Sequence, residues 1–292
     1  DNPAVFLEHT DDDPADHEFV RYFHGRVVDW RPRNVERKVC SGSLIYNRQM
    51  DWPTAVAIVA LAATAAIIQS LSGFGFALFI VPFLAILIGP RDTVLLSNLL
   101  STVASGMQSR TLRHSADRRT AVTLMAGSFV GMPIGLAVLL LLDPTALKLV
   151  IAIMVIVFTL LLMRGLELHR AGVLGDLTAG LTSGILNTST SMSGPPVVMY
   201  LQGRGLPPLQ FRATIATFFA VTSAVAVLLL LASGTAEPYV FVAFALSVPA
   251  VFIGQRIGNG LFEKVNAAIF RRMVYAILLV SGSVAIVGAV TG

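Results

Sequence analysis

Long apolar stretches separated by short charged segments occupy the chain from residue 52 onward. The candidate membrane spans are 53–89, 92–109, 120–142, 145–163, 173–203, 211–233, 238–255 and 269–290. A helix crosses the hydrocarbon core with about 20 residues, so 53–89 and 173–203 are too long for one crossing. Both long spans are interrupted by small polar residues, at "QSLSGFG" (69–75) and "NTSTSMSGPP" (187–196). The pattern predicts an all-α polytopic membrane protein with about eight transmembrane segments.

The positions of the basic residues indicate how the two long spans are threaded. Fourteen Lys and Arg residues follow Met50. If each long span enters and leaves on the same side, twelve of them lie in cytoplasmic loops and only Arg91 and Lys148 lie outside. If both are single crossings, the split is six to eight. Because cytoplasmic loops are enriched in Lys and Arg, we expect both long spans to be hairpins and both termini to be outside.

The two halves of the membrane region resemble each other. Residues 63–82 align with 182–201 at an offset of 119, which superimposes the two interruptions. Further along, "GMPIG" (131–135) aligns with "GQRIG" (254–258), and these spaced glycines are typical of close helix packing. In each half a broken span precedes three plain ones, so the order of elements repeats as well.

This order predicts two repeats, 52–165 and 172–290, each beginning with a hairpin. Three full crossings and a hairpin make an odd number of crossings, so the second repeat is expected to be inverted relative to the first. Inverted repeats with discontinuous helices are a recurring plan of secondary transporters, in which the substrate site lies between the repeats near the midplane.

The interruptions are expected to start half-helices that point at each other. Gly75 can start a half-helix at 76–89, while Ser193 and Gly194 fit a helix N-cap with Pro195 at the first helical position. Free N–H groups and the positive ends of two helix dipoles would then converge on a site for an anion. Non-helical backbone cannot face lipid, which favours this buried site. The alternative is that both interruptions are ordinary loops with solvated side chains.

The candidate substrate-binding residues lie at the two interruptions and in the spans that follow them. They are Gln69, Ser70, Ser72, Gly73, Gly75, Asn98, Asn187, Thr188, Ser189, Ser191, Ser193, Gly194, Pro195 and Thr217. For any single hydroxyl the competing role is a bond to a neighbouring backbone carbonyl. Asp92, Asp176 and Arg212 lie at span ends, where charged side chains are usually solvated.

Composition excludes several classes of function. The chain is 55% hydrophobic and 13% charged, against about 25% charged in soluble domains. Its positive charges lie between apolar spans, which indicates membrane orientation and not nucleic-acid binding. Cys40 is the single cysteine, and no histidine lies in an apolar span. We therefore expect no metal site, no cofactor and no enzymatic activity.

Residues 1–49 differ from the rest of the chain. They carry nine acidic and seven basic residues and no long apolar run. This composition predicts a disordered polar tail, with the membrane domain at 50–292. Because Met50 directly precedes the first span, a second interpretation is that translation starts there and the tail is not native.

The two interrupted regions resemble the signature regions of a known transporter family. They read "QSLSGFGFALFIVPFLAILIGPRDTVLLSNLLSTVASG" and "GLTSGILNTSTSMSGPPVVMYLQGRGLPPLQFRATIATFF". With "GMPIG" and "VPAVFIGQRIGNGL", they resemble the TauE/SafE-like sulfite exporter permeases over about 52–290. The resemblance implies a multi-pass permease of the bacterial inner membrane that carries sulfite, sulfonates or related anions.

We therefore expect alternating access of a small oxyanion around the two half-helix N-termini. Two alternatives stay open on the same fold: an uncoupled anion channel or facilitator, and a carrier of a non-sulfur carboxylate. The expected partners are the anion and the lipid bilayer.

Overall fold

The computed structural model describes residues 22–23, 26–27, 51–164, 172–234 and 236–261. Backbone contacts divide the chain into a unit of residues 1–49 and a unit of residues 50–292. In the first unit, strands β1 (Tyr22–Phe23) and β2 (Arg26–Val27) pair antiparallel. The rest of the expected disordered tail lies outside the described residues, as does the last expected span at 269–290.

The described part of the second unit is helical throughout its regular structure. Its nine helices are α1 Trp52–Ser72, α2 Phe76–Leu87, α3 Pro90–Leu112, α4 Arg118–Leu141, α5 Pro144–Met163, α6 Val173–Thr190, α7 Gly194–Gly203, α8 Pro208–Ala232 and α9 Pro238–Leu261. The breaks between α1 and α2 and between α6 and α7 fall inside the polar runs that the sequence singled out. The all-α prediction is confirmed for the described part of this unit.

Five of the described helices are long and apolar enough to cross a membrane: α1, α4, α5, α8 and α9. Large apolar side chains are exposed on them, such as Val130 and Leu228, each 65% exposed. Such exposure is expected where lipid replaces water as the solvent. Helices α3 and α6 fall outside this set because they carry many buried Ser, Thr and Asn residues. These two helices pack mainly against other helices, so they need less apolar surface.

Helices α4 and α6 pack backbone against backbone along a row of glycines. A Cβ at Gly131 would overlap the carbonyl of Leu181, and a Cβ at Gly184 would overlap that of Ser128. Because Gly127, Gly131 and Gly135 contact successively later residues of α6, the two helices run parallel. Small residues allow such close approach in membranes.

Helices α9 and α1 make the corresponding contact in the other half of the molecule. Gly254 lies against the carbonyl of Ala63, and Gly258 lies against Ile67 and Ser70. These helices are parallel too, since later residues of α9 meet later residues of α1. The expected packing role of both glycine pairs, at 131/135 and 254/258, is thus what the structure shows.

The start of α6 and the end of α7, which both lie away from the break between these helices, meet in a buried ion pair. Arg204, directly after α7, places Nη1 2.9 Å from Asp176 Oδ1 in the first turn of α6. The same nitrogen donates to Thr120 Oγ1 at the start of α4, also at 2.9 Å. Asp176 is only 4% exposed, so it is not the solvated span-end charge that the sequence suggested. The α6–α7 segment therefore returns to the end at which it starts.

Replacing Arg204 by Met is expected to destabilise the fold by about 3 kcal/mol, because it leaves the Asp176 carboxylate buried without its partner. The double variant Arg204→Met/Asp176→Asn removes the charge as well and should recover part of this loss. Thermal unfolding in detergent measures both. Equal melting temperatures for the wild type and both variants would contradict a structural role of the pair.

Asp117 caps the start of α4. Its Oδ2 accepts a hydrogen bond from Thr120 Oγ1 at 2.6 Å, and its Oδ1 accepts one from the Thr120 N–H at 3.2 Å. The Thr120 hydroxyl is the main cause that lowers the pKa of Asp117 below its usual 3.8. A capping carboxylate of this kind fixes where α4 begins.

Replacing Asp117 by Ala is expected to cost about 1 kcal/mol of stability at neutral pH. Because the pKa of Asp117 is lower in the folded state, its contribution is present above the unfolded value of 3.8 and is lost as the pH falls through the folded value. Unfolding curves of both proteins at neutral pH and near pH 3 check this. A difference that stays constant across that range would contradict the capping argument.

Candidate functional site

A small pocket joins the two helix breaks, and we call it the tip pocket. The first break contributes Gly75 and the start of α2, and the second contributes Ser191–Gly194 and the start of α7. Side chains of α1, α3 and α8 close it. The lining residues are Gln69, Phe74, Gly75, Phe76, Ala77, Leu78, Ser101, Ser105, Ser191, Met192, Ser193, Gly194, Pro195, Phe219 and Ser223.

The first break is made by two glycines in the left-handed region. Gly73 (φ 84°) ends α1 and donates its N–H to the Gln69 carbonyl at 2.7 Å. Gly75 (φ 98°) precedes α2, and its carbonyl accepts from Phe79 N at 3.0 Å. The N–H groups of residues 76–78 therefore precede the first bond of the helix and have no acceptor within it. All three of these residues line the tip pocket.

The second break turns at Ser191, a non-glycine residue with a φ of 63°. Its N–H donates to the Asn187 carbonyl at 3.0 Å, which ends α6. The Ser193 carbonyl accepts from Ser183 Oγ at 2.7 Å, but the Ser193 side chain makes no capping bond. Helix α7 begins at Gly194, one residue before the expected start at Pro195.

The two half-helices offer the pocket unequal sets of donors. Helix α2 begins with three residues that each carry an N–H. Helix α7 begins Gly194-Pro195-Pro196, and neither proline has an N–H. The expected convergence of helix N-termini is present, but hydrogen bonding from the second one falls mainly to Gly194 and the nearby serines.

Two buried polar groups at the pocket have no partner in the described part of the chain. Gln69 is 1% exposed, and its Nε2 donates to Ser105 Oγ at 2.8 Å, which leaves Oε1 without a partner. Ser191 is 2% exposed, and its Oγ has none either. Since buried polar atoms are nearly always hydrogen-bonded, these groups indicate that the pocket receives a polar ligand or water.

Among the described residues, those that line the tip pocket carry no ionisable side chain. Its positive potential comes from the N-termini of α2 and α7, and its specific donors are N–H and hydroxyl groups. The other part of the wall is apolar and includes Phe74, Met192 and Phe219. A pocket with this lining can hold a small anion by neutral donors and release it again.

Comparison with known proteins identifies the family. Residues 42–285 match the family model described as "Sulfite exporter TauE/SafE". The chain belongs to this family. TauE/SafE proteins are membrane transporters and not enzymes, in agreement with the expected absence of catalytic groups. No solved structure matches the chain.

Two curated TauE/SafE relatives match part of the chain. The "Probable sulfite/organosulfonate exporter TauE" of Cupriavidus necator is 27% identical over 115 residues, 39% of this chain and 45% of the relative. The "Probable inner membrane transporter protein TsaS" of Comamonas testosteroni is 28% identical over 115 residues, with the same coverage. The chain therefore spans less than half the length of the curated relatives it matches.

Six of the predicted site residues of this TauE/SafE chain line the tip pocket. They are Gln69, Gly75, Ser191, Ser193, Gly194 and Pro195. The tip pocket therefore contains predicted residues from both breaks. The other eight predicted residues lie beside the pocket, and their contacts explain why.

Four predicted hydroxyls are bonded to helix backbone. Ser72, Ser189 and Thr217 each donate to the carbonyl four residues earlier, at 2.7–2.8 Å. Thr188 Oγ1 donates across to the Met132 carbonyl in α4 at 2.6 Å. These bonds are the competing role that the sequence left open, and that of Thr188 also ties the second hairpin to α4.

Ser70 and Gly73 lie where α1 ends, under the side chain of Arg212. Arg212 Nη2 donates to the Ser70 carbonyl at 2.6 Å, and its stem covers Gly73. The Ser70 hydroxyl faces Gly258 of α9. Arg212 is therefore partly buried at the first break and is not a solvated span-end charge.

Asn98 and Asn187 form a buried pair one turn away from the second break. Asn98 Nδ2 donates to the Asn187 carbonyl at 3.3 Å and to the Val94 carbonyl at 2.9 Å. Both side chains are buried, and neither lines the tip pocket.

Besides residues at the breaks, four lining residues from other helices were not predicted: Ser101, Ser105, Phe219 and Ser223. They lie in the middle of α3 and α8, where they read as ordinary span residues. In the structure the corresponding positions are 118 residues apart, one fewer than the sequence alignment gave, so that Ser101 corresponds to Phe219 and Ser105 to Ser223. The caps Gly73 and Ser191 have the same separation.

Proposed function

We propose that this chain is a permease that moves a small oxyanion, such as sulfite or an organosulfonate, across the inner membrane of a bacterium. Access would alternate around the N-termini of α2 and α7. The observation that carries the proposal is that both N-termini line one pocket, which also holds unpartnered buried polar groups and no ionisable side chain. Oxyanions are the ligands that such helix ends bind best.

The helix contacts support an inverted-repeat arrangement of the domain at 50–292. The two most extensive helix contacts are α4 with α6 and α1 with α9. Since α1 corresponds to α6 and α4 to α9, exchanging repeat 52–165 with repeat 172–290 converts one contact into the other. The third, α3 with α8, joins equivalent helices. Asp176 and Arg204 join the two ends of the second hairpin that lie away from its break. With the distribution of basic residues, this arrangement favours hairpins that enter from opposite faces, and termini outside.

The sulfur assignment rests on the relatives. One is named a probable sulfite/organosulfonate exporter and the other a probable inner membrane transporter. The pocket itself favours an anion with several oxygens and a part that tolerates apolar contact, because serines and aromatic rings share its wall.

Flux into proteoliposomes tests the proposal. Purified chain would be reconstituted, and uptake of labelled sulfite measured against competitors: sulfate, thiosulfate, taurine, sulfoacetate, acetate and lactate. Saturable sulfite uptake that organosulfonates compete for is expected. Competition by carboxylates alone would replace the sulfur assignment with a carboxylate carrier. Uptake that follows the anion gradient without saturation would instead indicate a channel.

A further inference from the structure

The C-terminal end of α6 carries buried oxygen atoms that no described group contacts. Asn98 Nδ2 donates to two carbonyls, those of Val94 and Asn187, so the orientation of its carboxamide is fixed and Oδ1 is the free atom. The Asn187 side chain has no partner at either Oδ1 or Nδ2 in the described part of the chain. Asn98 is 0% exposed and Asn187 1% exposed.

The helix itself adds negative potential at the same place. Helix α6 ends at Thr190, so the carbonyls of residues 188–190 have no N–H partner further along the helix. They form the negative end of the helix dipole, which favours a cation. Carbonyl and carboxamide oxygens are the ligands that hard cations prefer.

The equivalent end of α1 already holds a cation. There, the guanidinium of Arg212 donates to the Ser70 carbonyl at 2.6 Å. At the repeat offset of 118, the position equivalent to Arg212 is Val94, which has no charge. Asn98, one turn further along α3, instead donates its Nδ2 to the Asn187 carbonyl there and leaves its Oδ1 without a partner. The end of α1 thus meets the positive charge of Arg212 from α8, and the end of α6 meets a neutral carboxamide.

We propose that Asn98, Asn187 and the last carbonyls of α6 form a binding site for a monovalent alkali cation, with sodium as the ion to test. The described residues hold no cluster of His, Cys, Asp or Glu that could bind a metal, and these ligands are neutral, so a divalent ion would be poorly compensated. Break-end carbonyls in transporter hairpins are suited to this role.

The site lies next to the tip pocket. The N–H of Ser191, which lines that pocket, donates to the carbonyl of Asn187 at 3.0 Å. A cation at the end of α6 would therefore lower the cost of placing an anion in the pocket. This coupling, though not the cation binding, rests on the proposed transport function.

Binding of radioactive sodium to the purified full chain, without any anion substrate, tests the site. Saturable binding is expected in the wild type. Asn187→Leu and Asn98→Leu should weaken it at least about tenfold, as loss of a group that holds or orients a ligand usually does. Gln108→Leu is the matched control, because it removes another buried, unpartnered carboxamide of α3. Asn187→Asp should tighten binding, which a merely structural role would not do.

Each outcome decides the proposal. No saturable sodium binding to folded wild-type protein overturns it and leaves water as the partner of the two amides. Binding that survives in both Leu variants overturns it too. Sodium binding with sulfite flux that is stimulated by a sodium gradient supports site and coupling. Sodium binding without anion flux supports the cation site and contradicts the proposed transport. Anion flux without sodium binding supports the transport and contradicts the cation site.

Discussion

Sulfite uptake should fall to background when Gly194 is replaced by Leu, while the protein stays folded. A Cβ at Gly194 would lie 3.7 Å from the Phe219 ring, an ordinary contact, and the Gly194 φ is not positive. The backbone therefore accepts a side chain here. The remaining Leu atoms would fill the tip pocket and cover the N-terminus of α7, where the anion is proposed to bind. Proteoliposome flux, with size-exclusion chromatography to verify folding, measures the effect.

Gly106→Leu is the control for this variant. Gly106 is also a helical glycine, in α3, and a Cβ there meets nothing within 4 Å. Its flux should match the wild type. If Gly194→Leu transports normally, the pocket between the breaks is not the route of the anion.

Replacing Gly184 by Leu should prevent recovery of folded protein. A Cβ at this position overlaps the carbonyl of Ser128, so α4 and α6 have to separate along their whole row of glycines. Because backbone cannot move aside like a flexible side chain, we expect a loss of more than about 4 kcal/mol. The yield of monodisperse protein and its melting temperature measure this.

Gly260→Leu provides the comparison for the glycine row. Gly260 lies on the exposed side of α9 with nothing within 4 Å of a Cβ, so Leu should be tolerated there. Gly184→Ala, which adds only the overlapping Cβ, should fall between the two. A Gly184→Leu protein with wild-type melting temperature would mean that α4 and α6 are not in backbone contact.

The positions of both helix breaks were predictable because they depend on local chemistry. Gly73 and Gly75 permit the left-handed turn that the first break needs. Pro195 and Pro196 suit the first turn of α7, because a helix needs no N–H donor at its first positions. The glycine rows were predictable for a similar reason, since regular spacing on one helix face is visible in the sequence.

The pocket wall was only partly predictable, because it depends on which helices pack together. Ser105 reaches the pocket only because α3 lies beside the end of α1, where Gln69 contacts Ser105. Ser72 and Ser189 lie in the breaks by sequence, yet each bonds its own helix. A set of site residues taken only from the breaks therefore includes hydroxyls that are bonded to helix carbonyls. It also omits lining residues that lie on other helices, far away in sequence.

The prolines at the start of α7 have a stereochemical consequence for the substrate. For an anion bound as proposed, the three N–H groups at the start of α2 could meet three of its oxygens, while the Pro195 ring, which lines the pocket, would present hydrocarbon to its fourth corner. In sulfite that corner is a lone pair, and in a sulfonate it is carbon. In sulfate it is another charged oxygen, which would find few donors there. If the proposed site is correct, Pro195 would discriminate among sulfur anions by the group they carry at one vertex, and sulfate should be the weakest competitor among them.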